Sequence, residues 1–97
     1  MNCVPIKIRF MGFLSKLTSD TEVALTVPCG VSLSEVLLSM VDYYGPEVKK
    51  MFLDNSSHLY KGLVLSKDGS IIPHERIDTI KICRETVITL RPLAAGG

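Results

Sequence analysis

The chain ends in two glycines, Gly96 and Gly97, and its last carboxylate is the group with the clearest chemical use. A terminal glycine carries no side chain beside its carboxylate, so a stem of small residues can pass down a narrow channel in another protein. A carboxylate is a poor acyl donor because oxide is a poor leaving group, and it must first be activated, for example as a mixed anhydride with AMP. The sequence has neither a G-x-x-x-x-G-K-[ST] loop nor a dinucleotide fingerprint that could hold ATP. We therefore predict a non-catalytic chain with no bound cofactor, whose partner uses ATP to activate it.

Length and composition exclude several classes of protein. The 97 residues, 46% of them hydrophobic, form one domain with a modest core. The 11 Lys and Arg residues nearly balance the 10 Asp and Glu residues, which disfavours a nucleic-acid binder. No apolar run approaches the roughly 20 residues that a membrane span requires. Lys7, Arg9 and Lys16 interrupt the N-terminal region where a signal peptide would be apolar, so we expect a cytoplasmic protein.

The cysteines and histidines show no ligand spacing. Cys3, Cys29 and Cys83 are odd in number and include no Cys-x-x-Cys pair, so we expect reduced thiols rather than a disulfide framework or a zinc knuckle. His58 and His74 lie sixteen positions apart, and neither is spaced to share a metal with a neighbouring carboxylate or thiol. The sequence therefore predicts no metal site.

Alternating residues predict a hairpin at the start of the chain. In residues 5–12 every second side chain is apolar, and residues 23–27 repeat the pattern before Pro28. A loop of about ten residues joins the two strands. The side chains expected to face the core from the first strand are Ile6, Ile8 and Phe10.

A helix is predicted after the hairpin. Ser32 and Glu35 form a Ser-x-x-Glu capping box, and Gly45 followed by Pro46 marks the helix end. Pro46 can open a second, shorter helix, since its missing amide hydrogen is harmless at the first helical position. The predicted buried stripe of the first helix is Leu33, Val36, Leu37, Met40 and Tyr44, and that of the second is Val48, Met51 and Phe52.

The rest of the chain reads as short strands. Residues 63–65 and 71–72 flank a tight Lys-Asp-Gly-Ser turn, and residues 87–91 alternate as a final strand. Strands linked through a helix tend to lie parallel with a right-handed crossover. We therefore predict an α+β, β-grasp (ubiquitin-like) fold: a mixed sheet with the first and last strands at its centre and one main helix across one face. Residues 1–92 would form this domain, and residues 93–97 a flexible tail.

Four passages together resemble a known family. They are the RFMGFL stretch at 9–14, the VPCGVSL stretch at 27–33, the Lys-Asp-Gly turn and the ending PLAAGG at 92–97. The chain resembles the MoaD/ThiS family of ubiquitin-like sulfur carriers, whose relatives include the archaeal small modifier proteins. The resemblance covers essentially the whole chain, and the Gly-Gly end after a strand is its specific part.

The resemblance implies that an E1-like enzyme adenylates Gly97, while Gly96 provides clearance for threading. Sulfur then replaces AMP to give a thiocarboxylate, which serves molybdopterin, thiamin or tRNA thiolation, either as a free carrier or beside a large synthase subunit. In the modifier relatives the activated Gly97 is joined instead to a lysine of a target protein. A third alternative is a β-grasp binding module with an incidental tail, and the sequence does not select the acceptor.

One sheet face is the expected docking surface for the activating enzyme. Arg9, Met11 and Arg91 would lie there if the alternate residues face the helix, and Leu93 follows at the start of the tail. Arg91 stands where the family often has an apolar residue, and Leu93 departs from its usual Pro-Pro-Val-Ala-Gly-Gly ending. The competing interpretation is that these charges are simply a solvated face.

Overall fold

The computed structural model describes residues 2–93. The strands are β1 (Cys3–Phe10), β2 (Glu22–Pro28), β3 (Val31–Ser32), β4 (Leu63–Lys67), β5 (Ser70–Ile72), β6 (Lys81–Ile82) and β7 (Thr86–Pro92), and the helices are α1 (Leu14–Thr18), α2 (Leu33–Tyr44) and α3 (Pro46–Phe52). A five-stranded sheet has the order β2-β1-β7-β4-β5, in which β1 and β7 are parallel and the other neighbours are antiparallel. The predicted β-grasp fold is confirmed, with the first and last strands adjacent at the centre.

The capping box at the start of α2 is confirmed. The Ser32 hydroxyl accepts from the Glu35 amide at 3.2 Å, and Glu35 Oε1 accepts from the Ser32 amide at 3.1 Å. At the other end Gly45 takes φ +105°, in the region that favours glycine, and donates its amide to the carbonyl of Val41. Helix α2 therefore begins and ends where the local residues predict.

The capping box makes stability depend on pH. The hydrogen bond from the Ser32 amide, aided by that from the Ser32 hydroxyl, lowers the pKa of Glu35 from its ordinary 4.5. A lowered carboxyl pKa stabilises the fold in full above the unfolded value, and that contribution is lost as the pH falls through the folded value. In urea titrations at pH 7 and at lower pH values, we expect Glu35→Gln to unfold more easily than the natural chain at pH 7, with a difference that shrinks as the pH falls below 4.5. A difference that stays constant between these pH values would contradict this.

The core lies between the sheet and the helices as the alternation predicted. The side chains of Ile6, Ile8, Phe10, Ile88 and Leu90 are all at most 3% exposed. The Phe10 ring packs edge-on against two helix residues, with ring centroids 5.8 Å from Phe52 and 5.7 Å from Tyr44. This burial leaves the opposite face of the central strands open.

Two details of the helices differ from the predicted stripes. Met51 is 50% exposed, whereas Val48 and Phe52 are buried. Val48 and Phe52 are four residues apart and share one face, while Met51 is rotated about 100° from Phe52, and a two-turn helix buries only one narrow stripe. Val41 of α2 is buried in the core as well. Tyr44 lies at the edge of the core, where the Tyr44 hydroxyl donates to Asp20 at 2.7 Å.

The expectation of three reduced thiols is wrong for two of them. The structure joins Cys29 and Cys83 in a disulfide, with their Cα atoms 4.3 Å apart, while Cys3 is free and exposed. The small β3–β6 pair brings the two residues together, since Gly30 donates its amide to the carbonyl of Ile82 at 2.7 Å. Neither these two-residue strands nor the α1 helix in the first loop was predicted.

Candidate functional site

The end of β7 is held from both sides at the point where the chain leaves the sheet. The Met11 amide donates to the Leu90 carbonyl at 2.9 Å, and the Leu93 amide donates to the Gly62 carbonyl at 2.8 Å. The tail therefore starts from a fixed position between the end of β1 and the residue before β4. Gly96 and Gly97, the residues predicted to carry the chemistry, lie outside the described residues.

Gly12 turns the chain next to this exit. It takes φ +60°, and a Cβ built on it would lie 3.4 Å from both Cδ and Cγ of Pro92, an ordinary van der Waals contact. The left-handed conformation, which glycine adopts without strain, is therefore what the position requires directly after β1. A glycine in the RFMGFL stretch thus has a structural role at the tail.

Exposed apolar side chains lie near the exit, each within two residues of a contact with the end of β7. Met11 and Phe13 flank Gly12, and Tyr60 lies against Gly62 on the other side. With Leu93 they form what we call the tail-exit patch, whose members are each between 45% and 64% exposed: Met11, Phe13, Tyr60 and Leu93. A cluster of exposed large apolar groups is typical of a protein-binding surface. Sequence reasoning missed Phe13 and Tyr60 as patch residues, although Phe13 belongs to the quoted RFMGFL stretch.

The open sheet face carries the predicted docking charges. In the register of the sheet, Arg9 lies between Glu22 of β2 and Thr89 of β7, and Arg91 lies opposite Val64. Arg9 is exposed and Arg91 half-buried. Arg9 and Arg91 thus lie towards the tail end of one face, and Met11 and Leu93 follow directly after β1 and β7. Their role in docking stays a prediction.

Both histidines line the same cavity, a placement that the sequence did not suggest. His58 and His74 line one cavity, and the His74 Nε2 lies 3.3 Å from the Tyr60 carbonyl, to which it donates. Among residues 2–93, no group of three or more His, Cys, Asp or Glu side chains is arranged to hold a metal ion. None of the helices in this range is both long and apolar enough to cross a membrane.

The topology and the exit of β7 define a ubiquitin-like fold of the MoaD/ThiS type. Among solved structures, SAMP1 from Haloferax volcanii is similar with a TM-score of 0.82 and 14% identity, covering 96% of this chain and 99% of its own. The small archaeal modifier protein 1 from Methanosarcina acetivorans has a TM-score of 0.76 and 23% identity over 100% of both chains. A proposed molybdopterin converting factor subunit 1 from Pyrococcus furiosus has a TM-score of 0.70 and 13% identity, covering 92% of this chain and 97% of its own. No family model and no curated protein sequence matches the chain.

Proposed function

We propose that this protein is a ubiquitin-like sulfur carrier or protein modifier that presents Gly97 to an E1-like adenylating enzyme. The observation that carries the proposal is the exit of β7: the chain leaves a fixed point inside an apolar patch and continues to the two glycines. Its fold is shared with proteins named as archaeal modifiers and as a molybdopterin converting factor subunit. The patch would meet the enzyme while the tail enters its active site.

The proposed activation uses only the terminal carboxylate of this chain. An oxygen of the Gly97 carboxylate attacks the α-phosphorus of ATP, pyrophosphate leaves, and an acyl-adenylate forms. A sulfide equivalent from a sulfur donor then attacks the carbonyl carbon and AMP leaves, which gives the thiocarboxylate. Adenylation thus replaces oxide, a poor leaving group, with AMP, a good one.

The two versions of the proposal share adenylation and differ in the nucleophile. In the carrier the thiocarboxylate passes its sulfur to molybdopterin, thiamin or tRNA, with or without a large synthase subunit. In the modifier a lysine amine attacks the acyl-adenylate, or a thioester made from it, and an isopeptide bond forms. The similarity to two SAMP1 structures is the observation that favours keeping the modifier as the second candidate.

The decisive experiment incubates the full chain with the E1-like enzyme of its host, Mg-ATP and a sulfide source, followed by intact-mass analysis. A carrier gains the mass of sulfur replacing oxygen at Gly97, and only when ATP is present. A modifier instead appears on lysines of other proteins through Gly97. Neither product, together with unchanged biological function after loss of Gly96 and Gly97, would support the incidental-tail alternative.

Charge reversal on the open face tests the docking surface. We expect Arg9→Glu and Arg91→Glu each to raise the KM of adenylation about fivefold. Each reversal removes an attraction of roughly 1 kcal/mol between the arginine and the enzyme at the rim of the interface. The matched control is Lys49→Glu, the same charge change on the exposed side of α3. Steady-state pyrophosphate release at varied carrier concentration measures the effect. Equal KM values for all four proteins would show that these arginines are a solvated face.

A further inference from the structure

A cavity of about 280 Å³ lies beside the tail exit, outside the site described above. Its walls are the start of α2, the loop of residues 54–61 and the segment of residues 74–78. The apolar side chains that line it are Leu37, Leu59 and Ile77, each at most 4% exposed. The cavity is smaller than the pockets of roughly 300–1,000 Å³ that hold whole small-molecule ligands, and its size suits one large side chain.

The charged residues around the cavity are mainly acidic. Three carboxylates stand against one ammonium group, which gives a formal charge of −2 with the histidines counted as neutral. The whole chain carries +1, so negative charge is concentrated here. The polar lining residues are Asp54, Glu75 and Asp78, with Lys61, His58, His74, Ser34 and Ser57.

Two of these carboxylates are held in place by the protein. Asp54 Oδ1 accepts from the amides of Ser56 at 2.8 Å and of His58 at 3.0 Å. The hydrogen bonds from the His58 and Ser56 amides hold the pKa of Asp54 below its usual range, so this group is ionised at neutral pH. Asp78 accepts from the Ser34 hydroxyl through one oxygen, and its other oxygen takes no part in that bond.

The cavity is next to the point where the tail begins. Lys61 lines it, and the following residue, Gly62, accepts the hydrogen bond from the Leu93 amide. On the opposite wall His74 donates to the carbonyl of Tyr60, a member of the tail-exit patch. A protein that receives the tail at Leu93 therefore also reaches the mouth of the cavity.

We propose that this cavity binds one cationic side chain, an arginine or a lysine beside an apolar residue, presented by the partner protein that receives the tail. The buried leucines and isoleucine suit the methylene stem of such a side chain, and the carboxylates suit its charged head. Only the identity of the partner rests on the proposed function. The binding preference itself follows from the charge and the apolar lining of the cavity.

The test is an NMR titration of the full chain with N-acetyl-leucyl-argininamide. We expect saturable amide shifts at residues 54–61 and 74–78, and at least about fivefold weaker binding of the neutral norleucine analogue. Glu75→Gln combined with Asp78→Asn should weaken the binding of the arginine peptide by about fivefold. The matched control, Asp42→Asn with Glu47→Gln, removes two carboxylates outside the cavity lining and should change nothing.

Several outcomes would overturn the proposal. They are equal binding of the charged and neutral peptides, shifts spread outside the cavity, the absence of saturation, or an unchanged affinity in the folded Glu75→Gln, Asp78→Asn variant. Preference for a glutamate peptide would do the same. Deletion of Gly96 and Gly97 should leave peptide binding unaltered, so a failure of tail activation and a failure of this site are distinguishable. Tighter binding after that deletion would identify the chain's own tail as the occupant and overturn the proposal.

Discussion

Deletion of Gly96 and Gly97 is expected to lower the rate of adenylation by the E1-like enzyme at least about a hundredfold. The loss follows from geometry, because the tail starts from a point held by the bonds to Gly62 and from Met11. Two residues span up to about 7 Å, so the shortened carboxylate cannot reach the α-phosphorus of ATP while the folded body keeps its docked position. A displacement of only about 1 Å can cost a hundredfold in rate.

Pyrophosphate release under single-turnover conditions measures this loss. The matched control replaces Gly96 and Gly97 with two alanines, which keeps the length of the tail and adds two methyl groups. We expect this control to retain a measurable part of the rate, because its carboxylate still reaches the α-phosphorus, and the deletion to retain none that is measurable. A deleted chain that is adenylated within twofold of the natural rate would overturn the proposed function.

Reduction of the Cys29–Cys83 disulfide is expected to lower the free energy of unfolding by about 4 kcal/mol. The bond closes a loop across a sequence separation of 54, and loop-closure entropy in the unfolded chain predicts this magnitude. The fold itself should persist, because the β1–β7 ladder and the core do not depend on the bond. Urea titrations with and without a thiol reductant measure the change. The midpoint and the slope of each unfolding curve together give the free energy of unfolding of a two-state domain.

Paired variants separate this effect from side reactions of the reductant. Cys29→Ser with Cys83→Ser should match the reduced protein and should no longer respond to reductant. The control variant Cys3→Ser removes the free, exposed thiol and should keep the full response. If the natural chain and the double variant unfold at the same urea concentration under oxidising conditions, the disulfide contributes nothing and the prediction is wrong.

Local patterns were sufficient to predict most of the elements. The alternation around Ile6 and Ile8, the capping box of Ser32 and Glu35 and the break at Gly45 each depend on residues within four positions of one another. These predictions were confirmed because the interactions that start a helix or orient a strand also act between residues within four positions of one another. Met51 shows the limit of this reasoning, since a short helix has too few turns for spacing to identify its buried side.

The docking residues show a similar division. Alternation alone was enough to place Arg9 and Arg91 on the open face, because burying Ile8 and Leu90 forces their neighbours outward. Phe13 and Tyr60 belong to the same surface, yet nothing local indicates it, since they lie 47 positions apart. Only the contact of Gly12 with Pro92 and the hydrogen bond from Leu93 to Gly62 bring each of them near the end of β7.

The amino-acid sequence by itself determined the β-grasp arrangement and the inward and outward faces of its central strands. The tertiary structure decided the disulfide between Cys29 and Cys83, the hydrogen bond that holds Leu93 to Gly62, and the acidic cavity lined by residues 54–61 and 74–78. The reason is physical. Periodicity records which side of a segment avoids water, whereas contacts between distant segments depend on short pairings and turns, such as β3 with β6, that have too few residues to leave a pattern.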